Sequence, residues 1–143
     1  MPGKYGSVDV LIKYDATPGG TVTDVTQHVR EIGGIKIENL TQETHSFGDA
    51  WIEHTPTGIR RVPAVVIKGL FDTTAVDGPH LVFMPTTADC QPSAATRTLE
   101  VTFGDGKKFT VETRLQDYEV LAKNAALTEY AATVLPTGAG IWS

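Results

Sequence analysis

The chain has 143 residues, 41% of them hydrophobic and 20% charged, with a formal net charge of −5 and a pI near 5.3. That is one domain, able to bury about two-thirds of its unfolded surface, and its acidic balance argues against a nucleic-acid binder, which needs a positive patch to neutralise phosphates. The single cysteine, Cys90, excludes an internal disulfide framework and suits a reducing compartment, and no apolar run approaches the roughly 20 residues of a membrane span.

The opening Met1-Pro2-Gly3-Lys4-Tyr5-Gly6 has one positive charge and no apolar core, so a secretory leader is not expected. Val8 to Tyr14 alternates, with Val8, Val10, Ile12 and Tyr14 on one face and Asp9, Leu11 and Lys13 on the other, and predicts a strand. Residues 15–20 form a Thr-Pro-Gly-Gly turn. Over 22–32, Val25, Val29 and Ile32 have a spacing that predicts one or two helical turns ended by Gly33-Gly34, although β-branched residues oppose it. Ile35 to Leu40 reads as a strand.

Residues 41–60 have no buried period and make a connection longer than compact domains usually tolerate. Phe47, Trp51 and Ile52 argue against disorder, so an extended hairpin is expected, with its tip at Thr55-Pro56-Thr57-Gly58. Arg61 to Asp72 then returns as a strand containing Val62, Ala64, Val66 and Leu70, with Pro63 marking an edge position. A short helix is placed in 73–84, started by Asp77-Gly78-Pro79, with Leu81, Val82 and Phe83 following. Residues 85–95 read as a loop of small residues.

The last third carries the clearest signal. Thr98-Leu99-Glu100-Val101-Thr102-Phe103, the Gly104-Asp105-Gly106 turn and Lys108-Phe109-Thr110-Val111-Glu112-Thr113 form a hairpin by alternation and turn chemistry. Ala125 to Leu135 predicts a further strand. Leu99, Val101, Phe103, Val111, Val66 and Leu70 are the expected core. The residues alone therefore predict one β-rich domain over 1–143 with one or two short helices.

Chemistry-bearing groups are sparse. His45, Asp49, Glu53 and His54 are the one cluster of metal-ligand types, but their spacing matches no recognised site, and a polar loop explains them better. Cys90 has no adjacent His or basic neighbour to activate it. None of Ser7, Ser46, Ser93 and Ser143 lies in a nucleophile elbow, and Gly104-Asp105-Gly106 lacks the rest of a dinucleotide fingerprint. No catalytic residue, metal or cofactor is expected. Trp51 and Trp142 suit stacking platforms or, more commonly, interface residues.

The pattern Thr44-x-x-Phe47-Gly48-Asp49-x-Trp51, followed by Gly69-x-Phe71-Asp72-x-Thr74-Ala75 and Gly78-Pro79-His80, resembles the tail tube proteins of long-tailed bacteriophages. The ending, with Leu135-Pro136-Thr137-Gly138 and Trp142 after the Gly-rich hairpin, extends that resemblance. It implies a β-sandwich of two packed sheets with a short flanking α-helix. Six copies would close into a ring whose inner wall is a continuous β-barrel, and rings would stack into a tube that passes double-stranded DNA. The partners implied are the chain itself, a tape measure, a tail terminator and baseplate or tail-tip components. The virion tail is the implied location, with the host cytoplasm before assembly and no insertion into a membrane.

Unpaired strand edges invite another chain, and a closed ring removes them, so the physical reading agrees. On it, residues 41–60 form an inter-subunit hairpin, with Phe47, Trp51, Ile52, Arg60 and Arg61 as contacts. Glu100, Glu112 and Glu129 are expected to face the lumen, where negative charge lets DNA slide. Competing readings are a terminator or head–tail joining ring of the same fold, a carbohydrate-binding sandwich using Trp51 and Trp142, and, least favoured, an enzyme.

Overall fold

A computed structural model of the chain describes residues 9–73 and 78–143. Among the described residues ten strands and one short α-helix follow one another: β1 Leu11–Asp15, β2 Val22–Asp24, β3 Glu31–Gly33, β4 Glu38–Thr44, β5 Glu53–Arg61, β6 Val65–Leu70, α1 Pro79–Phe83, β7 Arg97–Thr102, β8 Lys108–Leu121, β9 Glu129–Pro136 and β10 Ile141–Trp142. β4 and β5 form a separate two-stranded ribbon. The other eight belong to one antiparallel sheet in the order β2-β1-β7-β8-β9-β6-β3, with β10 also on β8.

The long strand β8 turns this single sheet into two layers. Its first part, Lys108–Thr113, pairs with β7, and Thr113–Leu121 pairs with β9. The register shifts between Leu115 and Asp117, a bulge that bends the strand. The outermost strands β2 and β3 are joined through residues 25–30 alone, seven steps from Asp24 to Glu31 that reach no more than about 25 Å, whereas a flat path of seven strands would set them about 29 Å apart. The sheet must therefore curl. One layer is β2-β1-β7 with the first half of β8 and β10; the other is the second half of β8 with β9, β6 and β3.

Between the layers lies one core. Ile12 and Tyr14 from β1, Leu99 and Val101 from β7, Phe109 and Val111 from β8, Tyr130, Ala132 and Val134 from β9, and Val65 and Ile67 from β6 are all buried in it. The helix completes it: the Phe83 ring stacks on Tyr14 at 5.3 Å and on Tyr130 at 5.7 Å, bridging the two layers. Burial and the neighbouring tyrosine push the Tyr130 hydroxyl upward, and burial raises Tyr14 to about 12.

Several expectations are corrected here. Residues 22–32 are not a helix: β2 and β3 flank a 3₁₀ turn at Thr26–His28, because β-branched residues find strand partners instead. The helix expected over 73–84 covers only Pro79–Phe83, with Pro79 at its first turn; Asp77 lies outside the described residues. Strand 35–40 is shifted to Glu38–Thr44. Residues 61–72 are not one strand, since Val62–Ala64 interrupt it at Pro63. That break reverses the parity of β6: Val65 and Ile67 face the core, whereas Val66 and Leu70 lie half-buried on the other face. Phe103 is also only half-buried, packed at the core's edge. Residues 85–95 contain a 3₁₀ turn, Thr87–Cys90.

The strand expected over Val8–Tyr14 is shifted to Leu11–Asp15, Val8 lying outside the described residues, while Ile12 and Tyr14 face inward as their alternation requires. The Gly104–Gly106 turn closes by the Phe103 amide on the Lys107 carbonyl (2.8 Å) and the Gly106 amide on the Phe103 carbonyl (2.8 Å). Gly106 takes a positive φ of 87° there, which favours glycine.

Candidate subunit-interface surfaces

The ribbon β4–β5 leaves the body as a hairpin, and all nine residues of β5 are exposed. Its two strands run antiparallel from Glu38↔Arg61 to Thr44↔Glu53. The tip is not at Thr55–Gly58. Those residues sit in the shaft, where the register shifts between Asn39 and Thr41, Gly58 has φ +81°, and the Thr57 hydroxyl donates to the Leu40 carbonyl at 2.8 Å. Pro-Thr-Gly chemistry thus serves a bulge rather than a turn. The real turn is Ser46-Phe47-Gly48-Asp49. The Asp49 amide donates to the Ser46 carbonyl (3.1 Å), the Asp49 carboxylate accepts from the Ser46 amide (2.6 Å), and Gly48 has φ +95°.

The tip presents Phe47 at 108% and, just past the turn, Trp51 at 83% of full exposure, with Ile52 next to it; Ile59, nearer the base of β5, is exposed too. A folded monomer gains nothing from displaying two aromatic rings in water. At the base, the Arg61 Nε donates to Glu38 Oε2 at 2.8 Å, and Lys36 Nζ lies 3.0 Å from Oε1. These two cations, Arg61 first, hold the Glu38 carboxyl below its ordinary range. Arg61 therefore has a carboxylate partner in its own chain. Arg60, opposite Asn39, is exposed.

The carboxylates expected to face the lumen fall on different layers. Glu100 on β7 and Glu112 on β8 share the outward face of the first layer with Lys13 and Thr110. Glu112 accepts hydroxyl hydrogen bonds from Thr96 (2.7 Å) and Thr98 (2.8 Å). Glu129 on β9 lies on the second layer, opposite Leu121 and Leu70. The structure does not bring the three together.

Nor does it pair the two tryptophans. Trp51 is on the hairpin, whereas Trp142 on β10 lies on the main sheet against the rings of Phe109 (5.0 Å) and Phe103 (6.0 Å). Among the described residues no three His, Cys, Asp or Glu side chains converge, and no helix is long and apolar enough to cross a membrane. Asp49 is used by the turn; Glu53 and His54 oppose Thr44 and Glu43 along the shaft. Cys90 is exposed, its thiol on the Thr87 carbonyl at 3.0 Å.

A buried ionic centre went unnoticed in the sequence. Arg97 is 1% exposed and forms a bidentate pair with Asp89, Nη2 to Oδ2 at 2.5 Å and Nε to Oδ1 at 3.0 Å. Its Nη1 donates to the carbonyls of Val82 (2.8 Å) and Asp15 (3.3 Å). The Asp89 carboxylate also accepts from the Thr86 amide and hydroxyl. Burial alone would raise the Asp89 carboxyl, but the Arg97 and Thr86 hydrogen bonds outweigh it and hold it low. This cluster ties residues 86–90 and α1 to the sheet. An arginine ahead of an alternating strand is the only signal the sequence offers for it.

No protein-family model matches the chain, and no curated protein matches it. Its fold, in contrast, matches solved structures over nearly its whole length. A chain in the tail of an empty gene transfer agent particle, determined with C6 symmetry, has a TM-score of 0.72 at 16% identity, covering 98% of this chain and 99% of that one. A chain of the six-fold symmetrised anti-feeding prophage baseplate gives 0.74 at 8% identity, over 100% and 97%. A chain in the sheath/tube terminator structure of an extracellular contractile injection system gives 0.61 at 9% identity, over 100% and 99%. The chain thus has the fold of tail and injection-particle subunits: mainly β, in two packed layers with a short helix.

Proposed function

We propose that this chain is a structural virion protein, a tail tube subunit that closes into six-membered rings stacked as a tube for phage DNA. The observation that carries the reading is the full-length fold match to the C6 gene transfer agent tail, at a TM-score of 0.72. Chain-level physics supports it. The exposed Phe47–Trp51 tip needs a partner, and a head-to-tail contact between copies supplies one that repeats along a filament. On this reading residues 41–60 reach a neighbouring subunit, with Phe47, Trp51, Ile52 and Arg60 as contacts and Arg61 bracing the hairpin base. The tape measure, terminator and tail-tip proteins are the further partners, and the tail is the location. A single-ring terminator is the second reading, favoured by the 0.61 match to the sheath/tube terminator structure.

The test replaces Phe47 and Trp51 with Ser. Both side chains are exposed, so circular dichroism should show an unchanged fold while electron microscopy finds no tubes. Normal tubes from the double variant would make the hairpin decoration, and an unfolded variant would place the two rings in the monomer's own core.

A further inference from the structure

Cross-strand register gives the second layer two distinct ends. At one, Glu129 lies opposite both Leu70 and Leu121, and the Phe71 amide donates to the Thr128 carbonyl at 2.9 Å. At the other, Val65 lies opposite Val134 and Gly33 opposite Val66. The hairpin β4–β5 springs from this second end, since β4 follows Gly33 and β5 precedes Val65, each by a connection of a few residues. Its shaft runs six residue steps from Glu38↔Arg61 to Thr44↔Glu53, about 20 Å, before the Phe47 turn.

The first end has an apolar surface of its own. Leu127, between β8 and β9, is 72% exposed, and among the described large apolar side chains only Phe47 and Trp51 are more so. Val120 and Leu121 are exposed at the end of β8, and Leu127 lines a groove of about 450 Å³ with Leu70 and Phe71. The rim of that groove is mixed in charge, carrying Arg30 and Asp72, so what it offers a partner is apolar contact. The three most exposed apolar side chains thus divide between the hairpin tip and the opposite end of the layer from which the hairpin springs. Within one chain these two patches do not cover each other. A second copy can bring them together, and a head-to-tail arrangement leaves the same two patches free for further copies.

We infer that the Leu127 end is the receptor for the hairpin: Phe47 and Trp51 of one copy cover Leu70, Phe71 and Leu127 of a copy in the next ring. The inference rests on the tube reading and names the surface on which the hairpin docks. Each aromatic side chain buries about 150–250 Å², so one such contact removes roughly 600–1,000 Å² over both surfaces. That is less than the about 1,200 Å² at which stable pairwise interfaces begin. A single contact is therefore weak and leaves dilute protein dissociated. Six of them act together between two rings, which makes stacking cooperative.

The test uses a Cys90→Ser background with His45→Cys beside the tip and Ala126→Cys beside Leu127, two exposed positions. Tubes are imaged first, then treated with a short bismaleimide and separated under denaturing conditions. The expected product is a ladder that runs past six copies, because the contact links one ring to the next, with at least tenfold less cross-linking in dissociated protein. Asn124→Cys, also exposed, replaces Ala126→Cys if that pair fails to assemble. Leu127→Ser, at an exposed site, should keep the parent's circular dichroism and lower the yield of tubes at least tenfold. If it loses its fold, the cross-link alone decides. Tubes without cross-linking, a ladder that ends at six, or parental tube yield from a folded Leu127→Ser chain would overturn the inference while leaving the tube reading intact. No tubes from the parent chain would overturn the tube reading and this inference with it.

Discussion

Arg97 shows how one buried charge organises a region that looks featureless. Its guanidinium joins the 86–90 turn through Asp89, α1 through the Val82 carbonyl and β1 through the Asp15 carbonyl. The backbone of Arg97 is held in turn by Thr113, whose hydroxyl donates to the Arg97 carbonyl (2.9 Å) and accepts the Tyr14 hydroxyl (3.0 Å). Removing one partner of such a pair leaves an uncompensated charge, so Asp89→Ala should cost about 3–5 kcal/mol in denaturant unfolding. The pH dependence has a definite sign. The folded Asp89 carboxyl is held low, so its contribution is present above the ordinary carboxylate range near about 4 and is lost as pH falls through the folded value. Asp15 acts oppositely: burial raises it, its Oδ1 has no hydrogen-bond partner among the described residues, and its cost grows as pH rises through the carboxylate range. Acid unfolding of Asp89→Asn should therefore be shallower than that of the parent chain; equal slopes would show that Asp89 does not couple folding to protons.

At the scale of elements, β6 offers the cleanest test of the register. Ile67→Ala removes a fully buried side chain and should cost about 2–5 kcal/mol, whereas Val66→Ala on the outward face should cost less than about 1. Equal losses in thermal unfolding would mean that the pairing Ile67↔Ala132 is wrong. Phe103→Ala, at the core's edge, should cost about 1–2 kcal/mol, less than full burial would demand. The hairpin β7–β8 was legible because alternation and Asp-Gly turn chemistry agree there. The second half of β8 was not: the bulge after Leu115 breaks the alternation that would have extended the strand to Leu121. Pro56 and Gly58 looked like a turn because a bulge uses the same backbone freedom, and the true tip at Gly48 carries no proline to advertise it. Phe47 and Trp51 were singled out from sequence as apolar residues in a polar segment. Leu127, 72% exposed between β8 and β9, gave no such contrast. Nor could composition divide Glu100 and Glu112 from Glu129, because only pairing assigns strands to layers.

For the whole molecule, two features converge on self-assembly: a fold shared with chains of a six-fold tail and a six-fold baseplate, and a hairpin with an apolar tip. The tip leaves apolar surface on one copy that another copy can cover. The most direct measurement is negative-stain electron microscopy of the purified chain at high concentration. The account predicts long hollow tubes built from rings of six, about 92 kDa per ring from 15.4 kDa subunits. A monodisperse monomer under those conditions would contradict it, and isolated rings that never stack would point to the terminator reading.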